Sequence, residues 1–196
     1  RKELVNTLKN QTVQYHAQTY IPVLLEFADV TIVHEIAISV DSAKTVLVPS
    51  ELYAPDMAVG YMCVNDRRPS DDECVVAATK GDVVALIALE RRIVQLFENP
   101  LWRLTYHSPL LDGVVSYARS VRISLTEHNS YVTISDNGKL LYAEVFATIE
   151  PDNIAFVLGK LREVLRIDGF EVRISGKGSE AVVEQLSAMF KDCKQA

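Results

Sequence analysis

The chain has 196 residues, 48% of them apolar and 23% charged, with a net charge of −6. Such a length buries most of its apolar surface without a metal or disulfide staple, and the composition is that of a globular domain or two small lobes rather than a disordered tail. The basic residues form no block, the densest points being pairs such as Arg67–Arg68 and Arg91–Arg92, so the counterion-releasing face that a nucleic-acid binder needs is not expected. Cys63, Cys74 and Cys193 are widely spaced, with no C-x-x-C pair. That excludes zinc-ribbon and thioredoxin-like readings and points to reduced thiols in the cytoplasm.

The chain opens on Arg1 rather than Met and shows no signal-peptide pattern, which reads as a trimmed or matured chain. Residues 1–34 are ambiguous: Val13 to Tyr20 fits a strand and Ile21 to Val33 a helix. The most apolar long window, Ile21 to Val40, holds Pro22, Glu26, Asp29, His34 and Glu35. Those groups make a membrane span costly, so none is expected.

Glu35 to Val40 and Thr45 to Val48 read as strands around Asp41–Ser42–Ala43–Lys44. A helical stretch from Glu51 to Val64, interrupted at Pro55, follows. Arg67 to Asp72 is a polar loop, and the acids Asp71, Asp72 and Glu73 read as its solvated run. Cys74 to Ala78 and Val83 to Leu89 form a hairpin around Lys80–Gly81–Asp82, followed by a helix over Arg91 to Glu98. Trp102 to Tyr106 is a strand. Ser108–Pro109 then caps a helix to about Arg119, with proline at the first helical position.

Val121 to Leu125, Tyr131 to Ser135 and Leu140 to Ala147 alternate apolar and polar residues, the last two joined by Asn137–Gly138, whose positive φ angles suit a tight hairpin. Pro151 and Asp152 open a helix with Ile154, Val157, Leu158, Leu161, Val164 and Leu165 on one stripe. Gly169 is suited to its left-handed cap. Phe170 to Ser175 is a strand. Gly176–Lys177–Gly178 is a tight connection, and Ser179 or Gly178 caps a last helix carrying Val182, Leu186, Met189 and Phe190. The order is β-β-β-α-β-α, an α/β arrangement in which a helical return sets the fourth strand parallel to one of the first three.

Three segments then resemble landmarks of one family: Thr45–Val46–Leu47–Val48–Pro49–Ser50–Glu51–Leu52–Tyr53, Tyr106–His107–Ser108–Pro109–Leu110–Leu111, and Asp136–Asn137–Gly138–Lys139–Leu140–Leu141. The family is a bacterial domain-of-unknown-function group similar to the actin-like ATPases of pilus assembly and cell division. The resemblance spans residues 35 to 196 and rests on order and spacing rather than on a catalytic motif. It implies two ribonuclease-H-like lobes with mixed sheets, over 1–120 and 121–196. The first lobe is expected to lack its opening strands.

In that family nucleotide sits between the lobes. Two Asp-x-Gly turns face the phosphates, where glycine lets backbone amides approach and the acid positions hydrated magnesium. In the second lobe the matching turn is Thr126–Glu127–His128–Asn129–Ser130, with no glycine and no Asp-x-Gly frame. The matching first-lobe turn is expected to be missing from the chain. The adenosine turn is better matched: Gly176, Lys177, Gly178 and Ser179 form the candidate nucleotide-binding set, with Glu180 in the first helical turn offsetting part of any attraction for phosphate. The plainer reading of those four residues is a well-capped strand-to-helix turn. They are not a P-loop, since Glu171 and Gly178 stand where Gly and Ser or Thr would be required.

No catalytic or metal residue is assigned. His107, Ser108 and Asp112 lack a nucleophile-elbow frame, and Ser108 is better explained as a cap. His34–Glu35 lacks a second zincin histidine, and His16 and His128 have no ligand-like neighbours. The first strand of the second lobe carries no acid, against a two-metal nuclease. The expectation is a catalytically degenerate actin-like scaffold that binds a protein partner or itself through a sheet edge, with no resident cofactor. The alternative is a switch or weak ATPase that takes ATP with magnesium.

Overall fold

The computed structural model describes residues 13–16, 35–97, 103–114 and 118–196. The expected helix over Ile21 to Val33 and the end of the expected strand beyond His16 lie outside the described residues. The chain divides into two compact units, Arg1–Ser108 and Pro109–Ala196.

The first unit holds β1 (Val13–His16), β2 (Glu35–Asp41), β3 (Thr45–Pro49), α1 (Ala58–Val64), β4 (Glu73–Lys80), β5 (Val83–Glu90), α2 (Arg91–Leu96) and β6 (Arg103–His107). β1, β2 and β6 form a parallel sheet in that order, Ile38 standing opposite Tyr106. β5 lies between β3 and β4 in an antiparallel sheet. It is buried from Val83 through Leu89, which is why it reads as an unbroken apolar run rather than an alternating one. The helical stretch after β3 is broken as expected, into 3-10 turns at Ser50–Leu52 and Pro55–Met57 ahead of α1. Val46, Val48, Met62, Val84, Leu86 and Ala88 make the core beneath α1.

The acidic run is only in part solvated. Asp71 and Asp72 are exposed, but Glu73 Oε2 lies 2.6 Å from Lys44 Nζ and accepts from the Ser70 amide at 2.7 Å and its hydroxyl at 2.8 Å. It ties the turn between β2 and β3 to the start of β4.

The second unit opens with a 3-10 turn, Pro109–Gly113, where a helix to Arg119 was expected. Residues 115–117 of that expected helix lie outside the described residues, and Gly113 packs against the sheet, where an added Cβ would fall 1.7 Å from Thr133 Oγ1. The Gly113 carbonyl accepts from Ser135 Oγ at 3.0 Å. The turn is pressed onto the sheet, with no room for a helical side chain at that point.

β7 (Ser120–Leu125), β8 (Ser130–Asp136) and β9 (Lys139–Phe146) form the expected meander, followed by α3 (Pro151–Leu165), β10 (Glu171–Gly176) and α4 (Ser179–Ser187). A further strand, β11 (Cys193–Gln195), completes a five-stranded sheet in the order β11-β10-β7-β8-β9. β10 runs parallel to both β7 and β11. Val121, Ile123, Val132, Ile134, Val172 and Ile174 form one core with Leu158 of α3 and Val182 and Leu186 of α4. Both helices therefore cover the same face.

The left-handed residue ending α3 is Arg166, at φ 55°, and not Gly169. The next residue, Ile167, is fully buried in the core. The Arg166 amide bonds to Arg162 O at 2.9 Å, and the Arg162 guanidinium meets Asp168 at 2.5 Å.

Candidate functional site

β7 and β10 are paired residue for residue, from Ser120 opposite Glu171 to Leu125 opposite Gly176. Their carboxyl ends thus release two connections side by side: the turn from Thr126 to Asn129, and the turn from Gly176 to Gly178. Carboxyl ends of parallel strands are where open α/β sheets place ligands.

The first connection is closed on itself. The Thr126 amide donates to Asn129 O at 3.0 Å, and the Asn129 amide donates to Thr126 Oγ1 at 3.1 Å. Thr126 Oγ1 also donates to Asn129 O at 3.0 Å. Glu127 and His128 are exposed at the tip. The Thr126 and Asn129 amides are thus committed within the turn, which contains no glycine.

The second connection holds the candidate set. Gly176, Lys177 and Gly178 are exposed, whereas Ser179 is fully buried. Gly176 sits at φ 99°, and a Cβ on it would come 1.9 Å from the Leu125 carbonyl oxygen. Gly178, at φ 82°, is the N-cap of α4 and makes no side-chain cap bond. The Ser179 hydroxyl accepts from Gln195 Nε2 at 2.8 Å, and the Ala196 amide bonds to Ile174 O at 2.8 Å. The structure thus brings three of the four residues to the surface together and turns Ser179 inward, where β11 engages it.

Sequence reasoning missed β11 and with it Gln195. Cys193–Lys194–Gln195 has three residues and only one apolar position, too short to display a period. Lys194 and Arg173 both pair with Glu171, the latter at 3.0 Å. Arg173 first, then Lys194, holds that carboxyl below its ordinary range.

Among the described residues no group of three or more His, Cys, Asp or Glu side chains is placed to hold a metal ion. His34 lies outside the described residues. Ser108 is fully buried, His107 half-buried and Asp112 exposed.

No family model matches the chain, and no curated protein matches it. Solved structures do. A Bacteroides thetaiotaomicron VPI-5482 protein with actin-like ATPase fold and unknown function aligns at a TM-score of 0.72 and 13% identity, over 98% of this chain and 93% of that one. The PilM–PilN type IV pilus biogenesis complex aligns at 0.49 and 10% identity, over 83% and 68%. The cytoplasmic domain of EpsL, an inner membrane component of the Vibrio cholerae type II secretion system, aligns at 0.43 and 10%, over 83% and 80%. The chain has the actin-like ATPase fold, as its resemblance implied. Identities this low speak to fold alone. No helix among the described residues is long and apolar enough to cross a membrane.

Proposed function

We propose that this chain is an actin-like interaction module that has lost nucleotide turnover and acts through contact with another protein chain, a second copy included. The observation that carries this is the β7–β8 turn. Its Thr126 and Asn129 amides are committed to bonds within the turn, and it offers neither glycine nor an Asp-x-Gly acid where the resemblance places the phosphate turn. The neighbouring glycine turn supports the same reading, because Gly176 is required by the approach of Leu125 whether or not any ligand binds.

A second reading is a nucleotide-binding switch or weak ATPase. Exposure of Gly176, Lys177 and Gly178 at the carboxyl end of β10 favours it. A titration with ATP and magnesium, followed by calorimetry and thermal shift, separates the two. The interaction module shows no saturable heat and no shift at millimolar ATP. Tight magnesium-dependent binding that Lys177→Glu abolishes would overturn it. Lys177 is the suitable probe because it is exposed and its replacement leaves the sheet intact.

A further inference from the structure

Alternate residues of a strand point to opposite faces, so the residues between the core positions of β7, β10 and β11 share the face turned away from α3 and α4. There Lys194, Arg173, Arg122 and Thr133 stand in register across β11, β10, β7 and β8, with neighbouring strands about 4.8 Å apart. Towards β11 the row is open: the side chains of Arg173 and Lys194 are 42% and 53% exposed. Towards β8 it is closed. Thr133 is buried under the turn Pro109–Gly113, and a Cβ on Gly113 would also lie 3.4 Å from Arg122 Cβ.

Arg122 stands at the margin between the two, half-buried, and its charge is not matched. The acid nearest in register is Glu171, opposite Ser120. Both of its oxygens are engaged, Oε2 by Arg173 at 3.0 Å and Oε1 by Lys194. Lys194 also lies 3.8 Å from Asp192. None of these pairs includes Arg122, and its Nε is buried with no hydrogen-bond partner among the described residues. A guanidinium held in that way costs the free protein stability. The next row holds short side chains: Ser124 Oγ lies 3.4 Å from Ser175 Oγ, two hydroxyls beside the long arginine stems.

We infer that this face takes an aspartate or glutamate side chain of a partner protein, held by Arg122 with the Ser124 and Ser175 hydroxyls beside it. Charge complementarity decides the occupant. Arg173 and Lys194 are matched by Glu171 and Asp192, so the positive charge left over is that of Arg122. A planar guanidinium suits the two oxygens of one carboxylate. A phosphate dianion would call for a second uncommitted cation. The inference rests on the reading of the chain as an interaction module and deepens it, by giving the chemistry of what is bound.

The test follows the arginine Nε–H signals of the isotope-labelled full chain, assigned through the backbone, during titration with the capped tripeptide acetyl-Ser-Glu-Ser-amide. Parallel titrations use its glutamine counterpart, inorganic phosphate, and sodium chloride at matched ionic strength. The Arg122 signal shifts saturably with the glutamate peptide, which binds about tenfold more tightly than the glutamine one. Arg122→Met abolishes that binding while its urea midpoint stays level or rises. Equal response to both peptides overturns the proposal, and so does tighter binding of phosphate. A lower midpoint for Arg122→Met also overturns it, since the guanidinium would then already be matched in the free chain. A wild-type dimer that Arg122→Met dissolves puts a second copy on this face in place of another protein and likewise overturns it. ATP titration of the same samples keeps the two ideas apart. Silence towards peptide and ATP removes this site and leaves the interaction reading standing, whereas tight magnesium-dependent ATP binding removes that reading and leaves the peptide titration to decide the site.

Discussion

Gly176 and Leu125 face each other across the parallel pair β10–β7 so closely that a Cβ on the glycine would lie 1.9 Å from the leucine carbonyl oxygen. The glycine is thus first a packing requirement of the sheet. Its φ of 99° adds a second constraint on any other residue.

Gly176→Ala should therefore destabilise the second unit strongly, and by more than Gly178→Ala. Gly178 has open space around its Cβ position, so its loss costs only the left-handed strain of about 1–2 kcal/mol. Urea denaturation of the two variants checks this. Equal losses would mean that the sheet absorbs the clash by shifting.

Leu158 is fully buried in the core between α3 and the sheet, so Leu158→Ala should cost about 2–5 kcal/mol. Phe156, two residues away, is 67% exposed, and Phe156→Ala should change stability by no more than about 0.5 kcal/mol. The contrast reads the orientation of α3 directly from two denaturation curves.

Glu73 gives the first unit a pH dependence. Burial alone would raise its carboxyl, but Lys44 and the Ser70 amide and hydroxyl outweigh that and hold it below the ordinary glutamate value. A depressed folded value means stability that is present above the unfolded value, about 4.3 for glutamate, and lost as pH falls through the folded one. Urea midpoints from neutral pH down into that acid window should fall more for the wild type than for Glu73→Gln. The glutamine variant should already be less stable at neutral pH.

Gln195 anchors the turn that precedes α4 through its bond to the buried Ser179 hydroxyl. Gln195→Ala should cost about 1 kcal/mol and raise amide exchange in the first turn of α4, with β7–β8 unaffected. Unchanged exchange at Ser179 and Glu180 would show that β11 adds nothing to that turn.

The elements that were legible were those whose signal is local. Asn137–Gly138 demanded a tight reversal, and Asn137 and Gly138 do take positive φ. The stripe from Ile154 to Leu165 named the buried side of α3 except at Val164, which is 77% exposed, and the alternation of Val121 to Leu125 named the core face of β7. The candidate turn was legible as a place, since Gly176–Lys177–Gly178 could only be a tight connection. Its meaning was not, because the residue that excludes a side chain at Gly176 is Leu125, fifty-one positions earlier.

Local sequence by itself determined the meander, the crossover helix and the central apolar strand β5, since period and turn chemistry depend on neighbours a few residues apart. Only the tertiary structure decided the rest. Proline and serine invited a helix, and the segment Pro109–Gly113 instead makes a 3-10 turn with Gly113 against Thr133. The reversal after α3 falls on Arg166, directly ahead of buried Ile167. A three-residue strand found its place beside β10 because that edge offered backbone groups to pair. Each of these outcomes turns on contacts between residues far apart in the chain, and no short window of sequence contains both partners.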